Sequence, residues 1–401
     1  MRVFRWILLL VVLLTVAAFA FLPRYVDGDM NRVAGLPPDE PDSVKAFHDS
    51  LFVVDLHSDQ LLWSRDPVDR SSRGHTDVPR LIDGNVAFQV FSAVTKTPRG
   101  LNFDRNTGET DNITLLAVAQ RWPVATWNSL TARALHQASR LHDAEARSNG
   151  RLTIVRSVAE MAAFLARHEN SAPASVGALL AIEGLHALDG KIENLDTLYA
   201  AGYRMMGLTH FFDNELGGSA HGVTHDGLTP FGRRVVTRMN SLSIIIDLAH
   251  ASSSLVDEVL ALSVRPVVVS HTGVRATCPG PRNLTDQQII DIAAKGGLIG
   301  IGYFEGAVCE LSAKAIARAI RHVVNVAGIR YVALGSDFDG AVTTPWDTRG
   351  IREITAELMA GGMSREDIRA VMGGNARAFL LANLPVSSSR TDAPRVPGGV
   401  R

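Results

Sequence analysis

Between residues 50 and 335, short apolar runs alternate with longer stretches of helical periodicity. The runs fall at 52–56, 86–94, 178–182, 203–208, 244–248, 267–269, 298–303 and 331–334. Most are apolar almost without interruption, the pattern of strands buried on both faces. Helical spacing fills the gaps at 157–167, 230–241, 252–261, 285–294 and 312–327, and at 113–144 with a break near Pro123. Ser364, with Asp367 three residues on, starts a late helix in a near capping-box pattern. Eight strands alternating with helices predict an α/β fold of the (β/α)8 TIM-barrel type. The long stretch between the second and third runs predicts an elaborated loop with helices of its own.

The N-terminus has a different pattern. Arg2 and Arg5 lead into an apolar run from 6 to 22 broken only by Thr15. A basic start and a hydrophobic stretch are the layout of a secretory signal, and Ala18-Phe19-Ala20 offers a small-residue cleavage site. The run is slightly short of the roughly 20 residues that span a bilayer. An uncleaved anchor is the close alternative, because Arg24 follows directly. Either way the body is expected on the exported side, periplasmic or extracellular. The chain therefore divides into a signal peptide or membrane anchor at 1–27, a barrel domain at 40–384 and a tail at 385–401. The tail, rich in Ser, Pro, Arg and Gly, is expected to be disordered.

Composition narrows the class. The 401 residues suffice for one large domain or two ordinary ones, and the net charge of −1 suggests no polyanionic partner. No basic cluster is interleaved with aromatics, so nucleic acid is not an expected partner. The two cysteines, Cys278 and Cys309, fit either a disulfide in an oxidising compartment or two buried thiols.

Polar residues gather where the apolar runs end: Asp55-Leu56-His57-Ser58-Asp59, Glu183-Gly184, Thr209-His210, Asp247-Leu248-Ala249-His250, Ser270-His271 and Asp337-Phe338-Asp339-Gly340. In a barrel these ends converge on one face. His57 and Asp59, two apart, can point to one side of an extended strand end. Imidazole with carboxylate suits a divalent ion such as zinc. The remaining ligand-type residues exceed the needs of one ion, and Glu183 is placed to bridge two ions roughly 3.5–4 Å apart. Singly, each residue has a structural explanation: Glu183 or Asp337 could cap a helix, and His210, His250 or His271 could be a satisfied core histidine. Together they end six of the eight predicted strands, which such explanations do not account for. Other chemistries lack their motifs. There is no G-x-S-x-G elbow, no H-E-x-x-H helix and no phosphate-binding loop, and neither cysteine has the neighbours of a thiolate nucleophile.

These segments resemble the membrane dipeptidase (renal dipeptidase) family of zinc metallopeptidases, amidohydrolase-like barrels. The resemblance rests on VVDLHSD, AIEG, LTH, DLAH, VVVSHTGVRA, the PRN around Arg282 and GSDFDG, in family order from 53 to 340. It implies two zinc ions per chain: His57 and Asp59 on the first, Glu183 bridging, and His250 and His271 on the second. It implies that Asp337 is the catalytic acid/base acting on a bridging hydroxide, and that His210 holds substrate and stabilises the oxyanion. Arg282 would pair with the C-terminal carboxylate of a dipeptide, and Cys278 would pair with Cys309. Tolerance of a D-residue at the C-terminal position and a possible homodimer are further implications. The family's mammalian members are lipid-anchored at the C-terminus, and this tail carries no hydrophobic segment for that, so membrane attachment is expected only through the N-terminus. The segment after His210, FFDNELGGSAHG, departs from the mammalian pattern and is expected to line the substrate pocket. Two other functions stand beside the dipeptidase: a metal-dependent amidase or lactam/lactone hydrolase on the same site, and a non-catalytic exported binding protein.

Overall fold

A computed structural model describes residues 2–168 and 175–387, without the side chains at 2, 11–18 and 20 of the first helix. Residues 388–401, most of the stretch expected to be a disordered tail, lie outside the described residues. Nine parallel strands form one sheet: β1 (Val53–Ser58), β2 (Val86–Val94), β3 (Leu152–Ile154), β4 (Val176–Glu183), β5 (Tyr203–Gly207), β6 (Ile245–Asp247), β7 (Val268–Thr272), β8 (Leu298–Ile301) and β9 (Val332–Leu334). β2 pairs with β4, which closes an eight-stranded ring of β1, β2 and β4 to β9. The protein is thus the (β/α)8 barrel that the alternation predicts.

The continuous apolar runs have their explanation in two hydrophobic layers. Along β4, Leu179 and Ala181 join Val54, Leu56, Val90, Met205 and Val268 in one cluster. Their neighbours Ala178, Leu180 and Ile182 join a second with residues of the helices, such as Leu195, Leu198 and Val235. Both faces of each strand are therefore dry. Phe164, Ala376, Phe379 and Leu380 complete the first cluster.

β3 is the strand that the pattern did not predict. It pairs with Val176–Ala178 at the start of β4, on the edge that β5 takes over from Leu180. With three residues and Thr153 in the middle, it lacks an apolar run to mark it. The helices follow their caps. Ser129, Thr229, Ser252, Ser312 and Ser364 each accept a hydrogen bond from the backbone N–H three residues on. Thr285 and Gln288 form a complete capping box. The stretch predicted as helix at 113–144 is a helix at Ile113–Ala119, a 3-10 turn at Val124–Trp127 and a second helix at Leu130–Arg147.

The N-terminal helix, Arg2–Met30, ends against the barrel. Pro23 and Asp27 are buried. The chain after it is sewn to the loop beyond β9, with Ala34 N–H donating to Thr344 O (2.9 Å) and Thr344 N–H to Arg32 O (3.0 Å). Among the described residues, no helix is long and apolar enough to cross a membrane. Cys278 and Cys309 form a disulfide across 31 residues of sequence.

Candidate active site

The site residues arrive from six strand ends of the ring. His57 is the penultimate residue of β1 and Asp59 follows the strand, where Asp59 N–H donates to Phe338 O (2.8 Å). Glu183 closes β4, and His271 lies inside β7. His210, His250 and Asp337 follow β5, β6 and β9. Register shifts interrupt the pairing between Asp55 and Ser58 in β1 and between Val269 and Thr272 in β7. Such irregularities re-aim side chains at strand ends. His250 and Asp337 both have φ of 63°, left-handed conformations that a side chain seldom adopts without a constraint from its surroundings. Gly340 is needed close by, since a Cβ there would lie 2.1 Å from Asp337 Oδ1.

One carboxylate oxygen organises the centre. Glu183 Oε1 lies 2.8 Å from His250 Nε2, 3.2 Å from His271 Nε2 and 3.8 Å from His57 Nε2. His57 Nε2 in turn is 3.3 Å from Asp59 Oδ1 and 3.9 Å from Asp337 Oδ1. Glu183 Oε2 is 3.2 Å from His210 Nε2. Three overlapping groups emerge whose ligand atoms fall within 4.8 Å of one another: His57, Asp59 and Glu183; Glu183, His250 and His271; His57, His271 and Asp337.

This donor set fits a pair of divalent cations. His57 Nε2 and Asp59 Oδ1 are buried with no hydrogen-bond partner among the described residues, and His250 Nε2 and His271 Nε2 converge to 3.0 Å. Buried polar atoms left unpaired are costly unless something satisfies them. Electrostatics point the same way. Burial raises Glu183 and Asp59 well above the ordinary carboxylate range, reinforced by each group's acidic neighbour, Asp59 for Glu183 and Asp339 for Asp59. Burial also pushes Asp337 up to about 8 and holds His210, His250 and His271 well below the usual imidazole value. Neutral imidazoles facing carboxylates in a dry site are ready to accept cations.

A second layer orients these ligands, and sequence reasoning assigned it no role. Ser270 Oγ lies 3.3 Å from His57 Nδ1 and 2.9 Å from His271 Nδ1. Asp55 accepts from Ser336 N–H (2.8 Å) and Ser336 O–H (2.6 Å), tying β1 to the turn that carries Asp337. Asp247 accepts from the N–H groups of Ala249 (3.0 Å) and Ser270 (2.9 Å). The sequence signal for Asp55 was available: it shares the every-other-residue spacing of His57 and Asp59.

Arg282 is buried and donates through Nη2 to His271 O (2.5 Å), while its Nε has no hydrogen-bond partner among the described residues. It lines, with Asp59, Glu183, His210, His250 and Asp337, a cavity of about 620 Å³. From the segment after His210, Phe211 lines the cavity, and His221 stacks on Phe211 at 4.6 Å between ring centroids.

Comparisons with known proteins agree with this geometry. Residues 42–381 match the sequence model of the membrane dipeptidase family, peptidase family M19. The dipeptidase aclJ of Aspergillus oryzae is 34% identical over 213 residues, covering 51% of this chain and 50% of that protein. Dipeptidase 3 of Macaca fascicularis is 30% identical over 232 residues, covering 54% and 47%. The chain thus spans about half the length of these curated relatives. A metallopeptidase of Rhodobacter sphaeroides, solved with a phosphinate mimic of the dipeptide L-Ala-D-Ala, superposes with a TM-score of 0.67 at 25% identity, over 83% of this chain and 99% of that one.

Proposed function

The chain belongs to the membrane dipeptidase family, and from that premise we propose that it hydrolyses dipeptides using two zinc ions. The observation that carries this reading is the convergence of four histidines and a second acidic residue around the single carboxylate of Glu183. His57 and Asp59 would hold one ion, His250 and His271 the other, and Glu183 both. When bound, such a pair would supply an acidified water and polarise the scissile carbonyl.

The chain's own residues account for the other requirements. Asp337, whose Oδ1 lies 3.9 Å from His57 Nε2, takes a proton from the attacking water and returns it to the leaving amine. His210, buried beside Glu183, donates its N–H to the carbonyl oxygen as negative charge develops there. Arg282 has a guanidinium N–H to spare and pairs with the substrate's free carboxylate, which favours dipeptides over longer chains. The R. sphaeroides neighbour with its L-Ala-D-Ala mimic supports tolerance of a D-residue at the C-terminal position. The basic and apolar N-terminus supports an exported protein whose membrane attachment, if any, is through that segment.

Purified full-length protein supplied with zinc is expected to release amino acids from a panel of L- and D-ended dipeptides. Asp337→Asn should lower kcat by about 10²-fold or more with zinc content retained. Unchanged turnover in that variant would refute the role given to Asp337. Turnover of N-acyl amino acids or lactams in place of dipeptides would reassign the site to amide or lactam hydrolysis.

A further inference from the structure

The N-terminal helix reaches the active-site cavity. Leu22, Pro23, Val26 and Met30 line it together with the ligand residues. Val26 packs on a cluster that includes Trp63, Val94 and Ile113, so this side of the cavity is a continuous apolar wall. The helix end is clamped in place. Asp27 accepts from Arg65 Nε (3.0 Å), Arg73 Nε (2.8 Å) and Asn31 Nδ2 (3.0 Å), all at a fully buried carboxylate. Arg65 also reaches Asp339 Oδ1 at 2.7 Å, two residues from Asp337.

The wall stands away from Arg282. Trp63 follows β1, and Ile113 lies beyond β2, whereas Arg282 follows β7, three places round the ring from β1 by way of β9 and β8. A dipeptide with its carboxylate at Arg282 and its scissile bond over the Glu183 cluster would direct its first residue toward the wall. A cavity of about 620 Å³ exceeds the needs of two small residues.

We propose that the segment 22–30 is a specificity element of the active site, selecting dipeptides whose first residue is large and apolar. This inference rests on the dipeptidase reading. Burying a leucine-sized side chain there should favour such a substrate about 10-fold or more over one beginning with glycine.

The test compares kcat/KM for Leu-Ala and Gly-Ala on the full-length zinc-loaded protein. The wild type should prefer Leu-Ala by at least about 10-fold. Leu22→Ser combined with Met30→Ser should bring that ratio close to one. Both side chains are about half exposed, at 52% and 43%, so the fold tolerates the change. Val26→Ala, a milder change, should reduce the ratio in the same direction, with thermal melting and zinc content as controls. A wild-type ratio near one, or a ratio unmoved in the double variant, would overturn the inference and leave the dipeptidase reading standing. A wild type inert on both dipeptides, but zinc-loaded, would overturn the dipeptidase reading itself, and this inference with it.

Discussion

Ser270 contacts two histidines that the proposed function assigns to different ions. Its Oγ is within hydrogen-bonding reach of His57 Nδ1 (3.3 Å) and His271 Nδ1 (2.9 Å). If both Nε2 atoms hold metal as proposed, both Nδ1 atoms carry hydrogen, and the hydroxyl has two lone pairs to receive them. One small side chain thereby fixes the tautomer and ring orientation of a ligand on each side of Glu183. Ser270→Ala removes that hydroxyl and keeps the backbone N–H that Asp247 accepts (2.9 Å). The expected outcome is a loss of about 10- to 100-fold in zinc affinity, the range found when such outer partners are removed. Competition with a metal chelator, read by metal analysis, would measure it. Retained affinity in Ser270→Ala would show that packing alone orients the two rings.

At the scale of elements, the N-terminal strap and the loop beyond β9 form one unit through buried charge. Asp27, Arg65 and Asp339 make a chain of ion pairs in which all three side chains have about 1% exposure or less. Removing Asp27 leaves Arg65 with Asp339 alone and takes a carboxylate partner from Arg73, whose side chain is 25% exposed, a loss of about 1–3 kcal/mol. Asp27→Ala should therefore lower the urea midpoint by an equivalent amount, whereas a change within about 0.5 kcal/mol would mean the strap contributes little. None of this was legible in the sequence, where the apolar run at 6–22 set the segment apart as a leader. Long-range pairing of Asp27 with Arg65 and Arg73 leaves no local pattern. The ring strands were legible for the opposite reason: each is dry on both faces and so is continuously apolar. Six of those strands lead directly into the site residues, so the site was legible once the strands were. β3 and the short helices at Asp42–His48 and Val78–Asp83 escaped, being too brief to establish a period. The division of 113–144 into separate elements was legible only as the break at Pro123. The pairing of Cys278 with Cys309 depended on the family resemblance, since spacing alone left two buried thiols equally open.

For the whole molecule, the metal centre links stability to pH. In metal-free protein Asp337 is raised to about 8 by burial first and by the negative charge of Asp59, with His57 opposing. A carboxyl whose folded pKa lies above its unfolded value contributes stability that is complete below the unfolded pKa of about 4 and is lost as pH rises through the folded one. His210, His250 and His271 act in the opposite sense, because burial lowers them: their contribution is lost as pH falls below about 6.5. At about pH 6.5 the unfolded histidines are still about half protonated; by about pH 7.5 they are neutral whether the chain is folded or unfolded, so from there upward the carboxyls alone set the slope. Asp337 by itself gives up to about 1.4 kcal/mol per pH unit as pH approaches its folded pKa. Glu183 and Asp59, raised for the same reason, act in the same direction. Divalent cations favour the ionised carboxylates and cancel the slope, while adding their own binding free energy, about 4 kcal/mol at a free concentration 1,000 times Kd. Metal-free protein should therefore melt at a lower temperature than the zinc-loaded form, and the gap should widen from pH 6.5 to pH 8. Melting curves at fixed free zinc and with chelator, in buffers matched for ionic strength, would measure both effects. A gap that stayed constant or narrowed with rising pH would mean that the carboxyls around Glu183 are already ionised without metal.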